Sequence, residues 1–323
     1  MTKVRDMQRE SFVPLTGGLG NQLFQIAFGI YLNKQFGRKV VFDLDFGNPR
    51  KIDNSVAVNG IQFRYPLTFL NQRRNKFHKL FLKSYSWNLT RGLIKKKHNA
   101  LSISIFNVLT SSLIQLKLKK RIRVISVKNL GFDVDLDLSK EAIIYCGYFQ
   151  TYIYASTPAV FEILKNINLR NSTEKYLDLQ KQIKEKRPIL LHIRLSDYLT
   201  EKQFGTPSLE YYKEAIKIMK DKKSPTDIWV ISDDIQAAKV YFRDLMIEQS
   251  LQFVDQEGLS DLEVWDLMRN FAGYVISNSS FAWWAAFLRK ENHAPVCAPT
   301  PWFQGMKDPE LLLPKDWIKV SSL

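Results

Sequence analysis

Short apolar runs that read as strands alternate with helix-length amphipathic stretches along most of this chain. That alternation limits the fold to α/β with parallel sheets. Ser11–Leu15 is followed by a glycine-rich turn and then by a helical pattern at Leu23, Ile26, Ala27, Ile30, Tyr31 and Leu32. Strand-like VVFDL follows at 40–44, then RIRVISV at 121–127 and AIIYCGYF at 142–149. In the second half PILLHIRL (188–195), DIWVIS (227–232), LQFVD (251–255) and GYVISNS (273–279) read as core strands. Helices are expected between them over 208–221, 235–247, 260–271 and 281–290. The polar stretch 170–188 is expected to end one domain and open the next with a helix, so the expected architecture is two Rossmann-like domains facing a cleft, 1–180 and 181–323. Of the chain's 323 residues 45% are apolar and 13% aromatic, enough for two substantial cores and too many for a disordered chain.

Two cysteines, Cys146 and Cys297, exclude a disulfide scaffold and a four-thiolate metal site. The four histidines show no ligand spacing. The first fifteen residues lack the apolar core of a signal peptide, and no long uncharged apolar run follows. A cytoplasmic protein is the expectation.

Charge is unevenly placed. Residues 54–132 hold 16 of the 47 Lys and Arg and no acid, which leaves the remainder close to neutral. Such a block suits an anionic partner: nucleic acid, an anionic membrane surface or a phosphorylated substrate. Phe77, Phe81, Trp87, Ile94 and Leu109 run among the charges. A helix lying on anionic lipid and a helical pair with a solvated basic face both fit that pattern.

Four motifs fall where strands end, the place where ligands bind in such sheets. Gly17-Gly18-Leu19-Gly20-Asn21-Gln22 lets backbone approach a ligand and opens a helix; a tight turn with an N-cap is the plain alternative. His192 and Arg194 alternate on a strand and share one side. Arg194 suits a diphosphate through its paired donors, or pairs with Asp197 to fix the turn. Ser232-Asp233-Asp234 offers carboxylates to a guanine or a ribose, or Ser232 or Asp233 caps the next helix before Ile235. Ser277-Asn278-Ser279-Ser280-Phe281 brings hydroxyls, an amide and a helix N-terminus together as an anion site. Trp283 and Trp284 read as packing residues. The alternating acids in DVDLD (133–137) fit an exposed edge better than a metal site.

GGLGNQLFQIAFGIYL, GYFQTYIYAS, HIRLSDY, WVISDD, SNSSFAWWAAFL, PTPWF and DWIKV together resemble the bacterial α-1,2-fucosyltransferases of glycosyltransferase family 11. The matches run in order from Leu15 to Val320 and are weakest over 50–130. The resemblance implies a GT-B-like fold, GDP-β-L-fucose as donor, inversion at the anomeric carbon and no metal or other cofactor. It implies a galactoside α-1,2-fucosyltransferase acting on a galactose-containing glycan, lipid-linked in surface-polysaccharide synthesis, with no nucleic-acid partner.

Domain 1–180 would take the acceptor side and 181–323 the donor. Carried over by position, Gly18, Gly20, Asn21, Gln22, His192, Arg194, Asp233, Asp234, Asn278, Ser279, Ser280 and Phe281 would bind donor. Arg194 would also act catalytically, with Asp197 and Glu201 as candidate bases. The family's usual His-x-Arg-Arg-Gly-Asp has Leu195 and Ser196 here in place of the second Arg and the Gly, so a second guanidinium has no counterpart. A basic nucleic-acid-binding protein, a dinucleotide oxidoreductase and a transferase using another GDP-sugar are the rival readings. The first leaves the strand-end motifs unexplained, and the second lacks GxGxxG.

Overall fold

The expected alternation is realised as two parallel sheets. The computed structural model describes residues 10–44, 58, 60–70, 124–126, 130–133, 136, 138, 144–196, 204–222, 227–243 and 251–323. The chain divides into two compact units, 1–167 with 309–312, and 168–308 with 313–323.

In the first unit, β1 (Glu10–Pro14), α1 (Leu19–Phe36) and β2 (Lys39–Asp43) form a parallel βαβ start. The short strands β3 (Ile61–Gln62), β4 (Thr68–Leu70), β5 (Val124–Ser126) and β6 (Ile144–Cys146) follow. The main sheet has the order β4-β2-β1-β6-β5. Helix α1 ends where Gly37 takes a left-handed φ of 63° and its N–H reaches the Asn33 carbonyl, a common helix stop. The helix is buried almost all round because it packs on β1 and β2 and also under α2 (Tyr152–Ala155) and α3 (Pro158–Lys165). Phe28 fills that junction, its ring stacked 3.8 Å from Phe149 and edge-on to Tyr145 and Tyr154.

The second unit opens with β7 (Asn168–Leu169) and α4 (Glu174–Lys186). Next come β8 (Ile189–Ile193), α5 (Leu209–Lys222), β9 (Ile228–Ser232), α6 (Ile235–Tyr241) and β10 (Leu251–Phe253). The chain finishes with α7 (Asp261–Met268), β11 (Gly273–Val275), α8 (Ser280–Phe287), β12 (Val296–Thr300) and β13 (Ile318–Ser321). Its six-stranded parallel sheet has the order β10-β9-β8-β11-β12-β13. Every residue of β8 and β9 is buried, as strands covered by helices on both faces must be. Helix α5 covers one face with Tyr211, Tyr212, Ala215, Ile216 and Met219, a helical stripe.

The whole of α4 belongs to the second unit. Its Tyr176 and Ile183 are buried, and the Tyr176 hydroxyl donates to Asp266 of α7 at 2.6 Å. The segment expected to open the second domain with a helix does so, and the second unit starts at 168. Strands β12 and β13 have no counterpart among the strands expected from the sequence. Pro299 argues against a strand in one, and the other is a short edge strand of alternating exposure.

Candidate functional site

Strands β8 and β11 are neighbours, in register from Ile189 with Gly273 to Leu191 with Val275. From β8 the sheet grows one way through β9 and β10, and from β11 the other way through β12 and β13. The crevice beyond their carboxyl ends is the switch point where ligands bind in open parallel sheets. His192, Arg194, Ser277, Asn278 and Ser279 all stand at or just past these ends.

His192 is 5% exposed, and its Nδ1 lies 2.9 Å from the Ser277 hydroxyl. Its pKa is pushed down to about 3: burial is the main cause, with Asp233 opposing and Arg194 reinforcing it. The ring is therefore neutral at ordinary pH. Arg194 is about one-third exposed, with its Nε 3.9 Å from Asp233. Asp233 accepts the Leu195 N–H at 2.9 Å and the Ser196 N–H at 3.3 Å. Burial raises the pKa of Asp233, but those hydrogen bonds and the neighbouring Arg194 guanidinium outweigh it and hold the carboxyl below its ordinary value. Among the described residues, Arg194 thus pairs with Asp233 at this turn. Asp234 caps α6, its carboxylate accepting the Ala237 N–H at 2.9 Å. The two acids have different jobs here: Asp233 braces the β8 turn, and Asp234, in place of Ser232 or Asp233, starts the helix.

Ser279 is the N-cap residue of α8, but its side chain makes no capping hydrogen bond. Its hydroxyl is not spent on the helix, and the first-turn N–H groups of α8 follow directly. Ser280 and Phe281 are half-buried on that first turn. The Asn278 amide donates to two carbonyls, Phe204 at 3.0 Å and Gly205 at 2.8 Å, and so ties down the segment leading into α5. Trp283 and Trp284 are fully buried, with Trp283 stacked 4.7 Å from Phe287. They pack, as expected from the sequence.

In the first unit the glycine-rich motif forms the β1–α1 turn. Gly17 has φ +76°, and a Cβ there would sit 2.5 Å from the Asn21 amide. Gly18 is the helix N-cap in extended conformation with open space where a Cβ would be, and Gly20 is buried in the first turn of α1. The Gln22 amide donates to the Gly17 carbonyl at 2.9 Å, and Asn21 accepts from Gln150 at 2.9 Å. The loop is thus tied by its own amides. Gln25, which the sequence reading passed over, holds it from beneath, accepting from the Thr16 N–H and donating to the Thr16 hydroxyl and the Gly147 carbonyl. A glutamine on the buried face of an apolar helix was the available signal.

Asp197, Glu201 and the basic run from 71 to 123 lie outside the described residues. Among the described residues no group of three His, Cys, Asp or Glu could hold a metal ion, and no helix is long and apolar enough to cross a membrane.

The sequence model of the family described as glycosyl transferase family 11 matches residues 13–321. An alpha-1,2-colitosyltransferase of Escherichia coli is 25% identical, aligned over 95% of this chain and 97% of its own length. The O-antigen biosynthesis glycosyltransferase WbnK of Escherichia coli is 26% identical, over 95% and 99%. The crystal structure of fucosyltransferase NodZ from Bradyrhizobium superposes with a TM-score of 0.47 at 17% identity, over 86% of this chain and 92% of that one. The family model takes in both sheets and every strand-end motif described above, and the chain, an α/β protein with parallel sheets, belongs to glycosyl transferase family 11.

Proposed function

We propose that this glycosyltransferase moves L-fucose from GDP-β-L-fucose, with inversion, to a 2-hydroxyl of a galactose-containing acceptor in surface-polysaccharide or oligosaccharide synthesis. The observation that carries the reading is the partly exposed Arg194 at the switch point, in the same strand-end set as Ser279, whose hydroxyl does not cap α8. Breaking a sugar–phosphate bond leaves growing negative charge on the departing diphosphate. Here Arg194, the Ser279 and Ser280 hydroxyls and the α8 N–H groups would receive it. Inversion also requires a base for the attacking hydroxyl on the opposite face of the sugar, the role assigned from sequence to Asp197 or Glu201. No metal enters this scheme. A second reading, a different deoxysugar from the corresponding nucleotide, is favoured by the relative named an alpha-1,2-colitosyltransferase.

The deciding experiment offers the protein a galactoside with GDP-fucose or GDP-mannose, with and without chelator, and weighs the products. A fucosylated product linked at the 2-hydroxyl, formed equally with chelator, supports the reading. Transfer from another nucleotide sugar alone, or activity that only manganese restores, overturns it. Binding runs with GDP and NAD separate the oxidoreductase alternative. The basic block 54–132 suggests peripheral attachment to anionic lipid, where a lipid-linked acceptor would lie. Salt-sensitive co-sedimentation with anionic vesicles is expected, lost when Lys95, Lys96, Lys97, Lys119, Lys120 and Arg121 become Gln. Failure to bind at low salt removes that part.

A further inference from the structure

We propose that Ser277 is a positioning residue that fixes the tautomer of His192, donating its hydroxyl to Nδ1 so that Nε2 carries the ring proton as an uncharged donor for a diphosphate oxygen. The idea rests on the donor-site reading above, and it begins from geometry. The Ser277 side chain is fully buried and the Nδ1–Oγ separation is 2.9 Å. Nε2 makes no hydrogen bond among the described residues. Both strand ends that carry the pair are held by phenols from α5. The Tyr212 hydroxyl donates to the His192 carbonyl at 3.3 Å, and Tyr211 reaches the Ile276 carbonyl at 2.5 Å and that of Cys297 at 3.2 Å. Both backbone segments are thereby tied to α5.

A neutral imidazole has one donor nitrogen and one acceptor nitrogen, and the bond made by one decides the other. Among the described residues, the charged and titratable groups facing the ring are Arg194 on its own strand and Asp233 beyond β9, with the Tyr212 hydroxyl of α5 on its backbone carbonyl. Burial keeps the ring uncharged, so it cannot attract a diphosphate as a cation. It can still donate. A hydroxyl donating to Nδ1 leaves Nε2–H as that donor, whereas a hydroxyl accepting from Nδ1–H would turn a lone pair toward an anion.

The test uses full-length protein carrying ¹⁵N-histidine, which has only four such residues. Long-range ¹H–¹⁵N spectra report the tautomer directly, and His192→Gln assigns the signal. Wild type is expected to show the Nε2–H form without titration between pH 5 and 8. Ser277→Ala should mix the tautomers and weaken GDP binding by roughly 5- to 10-fold, the worth of one hydrogen bond. Ser277→Thr, which keeps the hydroxyl, should restore both. An Nδ1–H tautomer in wild type overturns the proposal, as does a tautomer unchanged in Ser277→Ala or a mixed tautomer with unchanged GDP affinity. If wild type itself ignores GDP, the donor-site reading falls, and the spectra still report whether Ser277 sets the ring.

Discussion

Arg194 and His192 leave the same strand two residues apart, and burial separates their chemistry. Arg194 is partly exposed and keeps its charge, so its value lies in the paired donors of its fork. Arg194→Lys should leave the thermal midpoint almost unchanged and weaken GDP binding by ~10-fold or more by calorimetry, because a point charge makes no paired contact. GDP affinity like that of wild type would remove Arg194 from the donor site. His192 makes a prediction about pH. The unfolded chain takes up a proton at its ordinary 6.5, while the folded ring resists it down to about 3. The associated stability is full above 6.5 and drains as pH falls toward 3, at about 1.4 kcal/mol per unit in the steep range. Urea midpoints should therefore decline more steeply between pH 6.5 and 4 in wild type than in His192→Gln.

At the level of elements, helix starts decide where the site stands. Helix α7 opens with a capping box in which Ser260 and Glu263 satisfy each other's backbone N–H. Glu263 also accepts the N–H of Thr173, the residue that caps α4, at 2.7 Å. One carboxylate thus serves two helix ends. Burial raises its pKa, but the bonds from Ser260 and Thr173 prevail and bring it to about 2. Glu263→Ala should cost about 1–3 kcal/mol in chemical denaturation. The wild-type contribution is present above 4.5 and lost as pH falls through 2, so the two proteins should converge in acid. The S-x-x-E spacing is legible in the sequence; the Thr173 partner is not, because that contact joins residues 90 apart. The same holds at the strand ends, where local pattern places Asp233 and Asp234 correctly beyond β9. Only the fold shows that Asp234 caps α6 while Asp233 reaches back to Leu195 and Ser196.

At the scale of the molecule, the chain crosses between units more than once. Residues 309–312 return to the first unit, where the Glu310 carbonyl accepts from Phe132 and the Leu311 carbonyl from Tyr152 and Thr151. Gly131 makes this possible: a Cβ there would meet the Glu310 backbone at 2.4 Å. Gly131→Ala should destabilise the protein by about 1–3 kcal/mol through overpacking. Hydrogen exchange at the Tyr152 amide should quicken, since its acceptor is on the displaced segment; an unchanged rate would mean that the return does not depend on this approach.

Periodicity and turn chemistry were enough to determine the α/β class, the order of the principal strands and helices, and the motifs at the strand ends, because each is written within a few neighbouring residues. The tertiary structure alone decided which strands are neighbours, and so where β8 meets β11 and the crevice opens. It also decided that α4 belongs with α7, that Asn278 holds a segment rather than presenting its amide, and that the partner of His192 is Ser277, 85 positions away. Contacts of that kind depend on the register between elements and on burial, and no local run of residues encodes either.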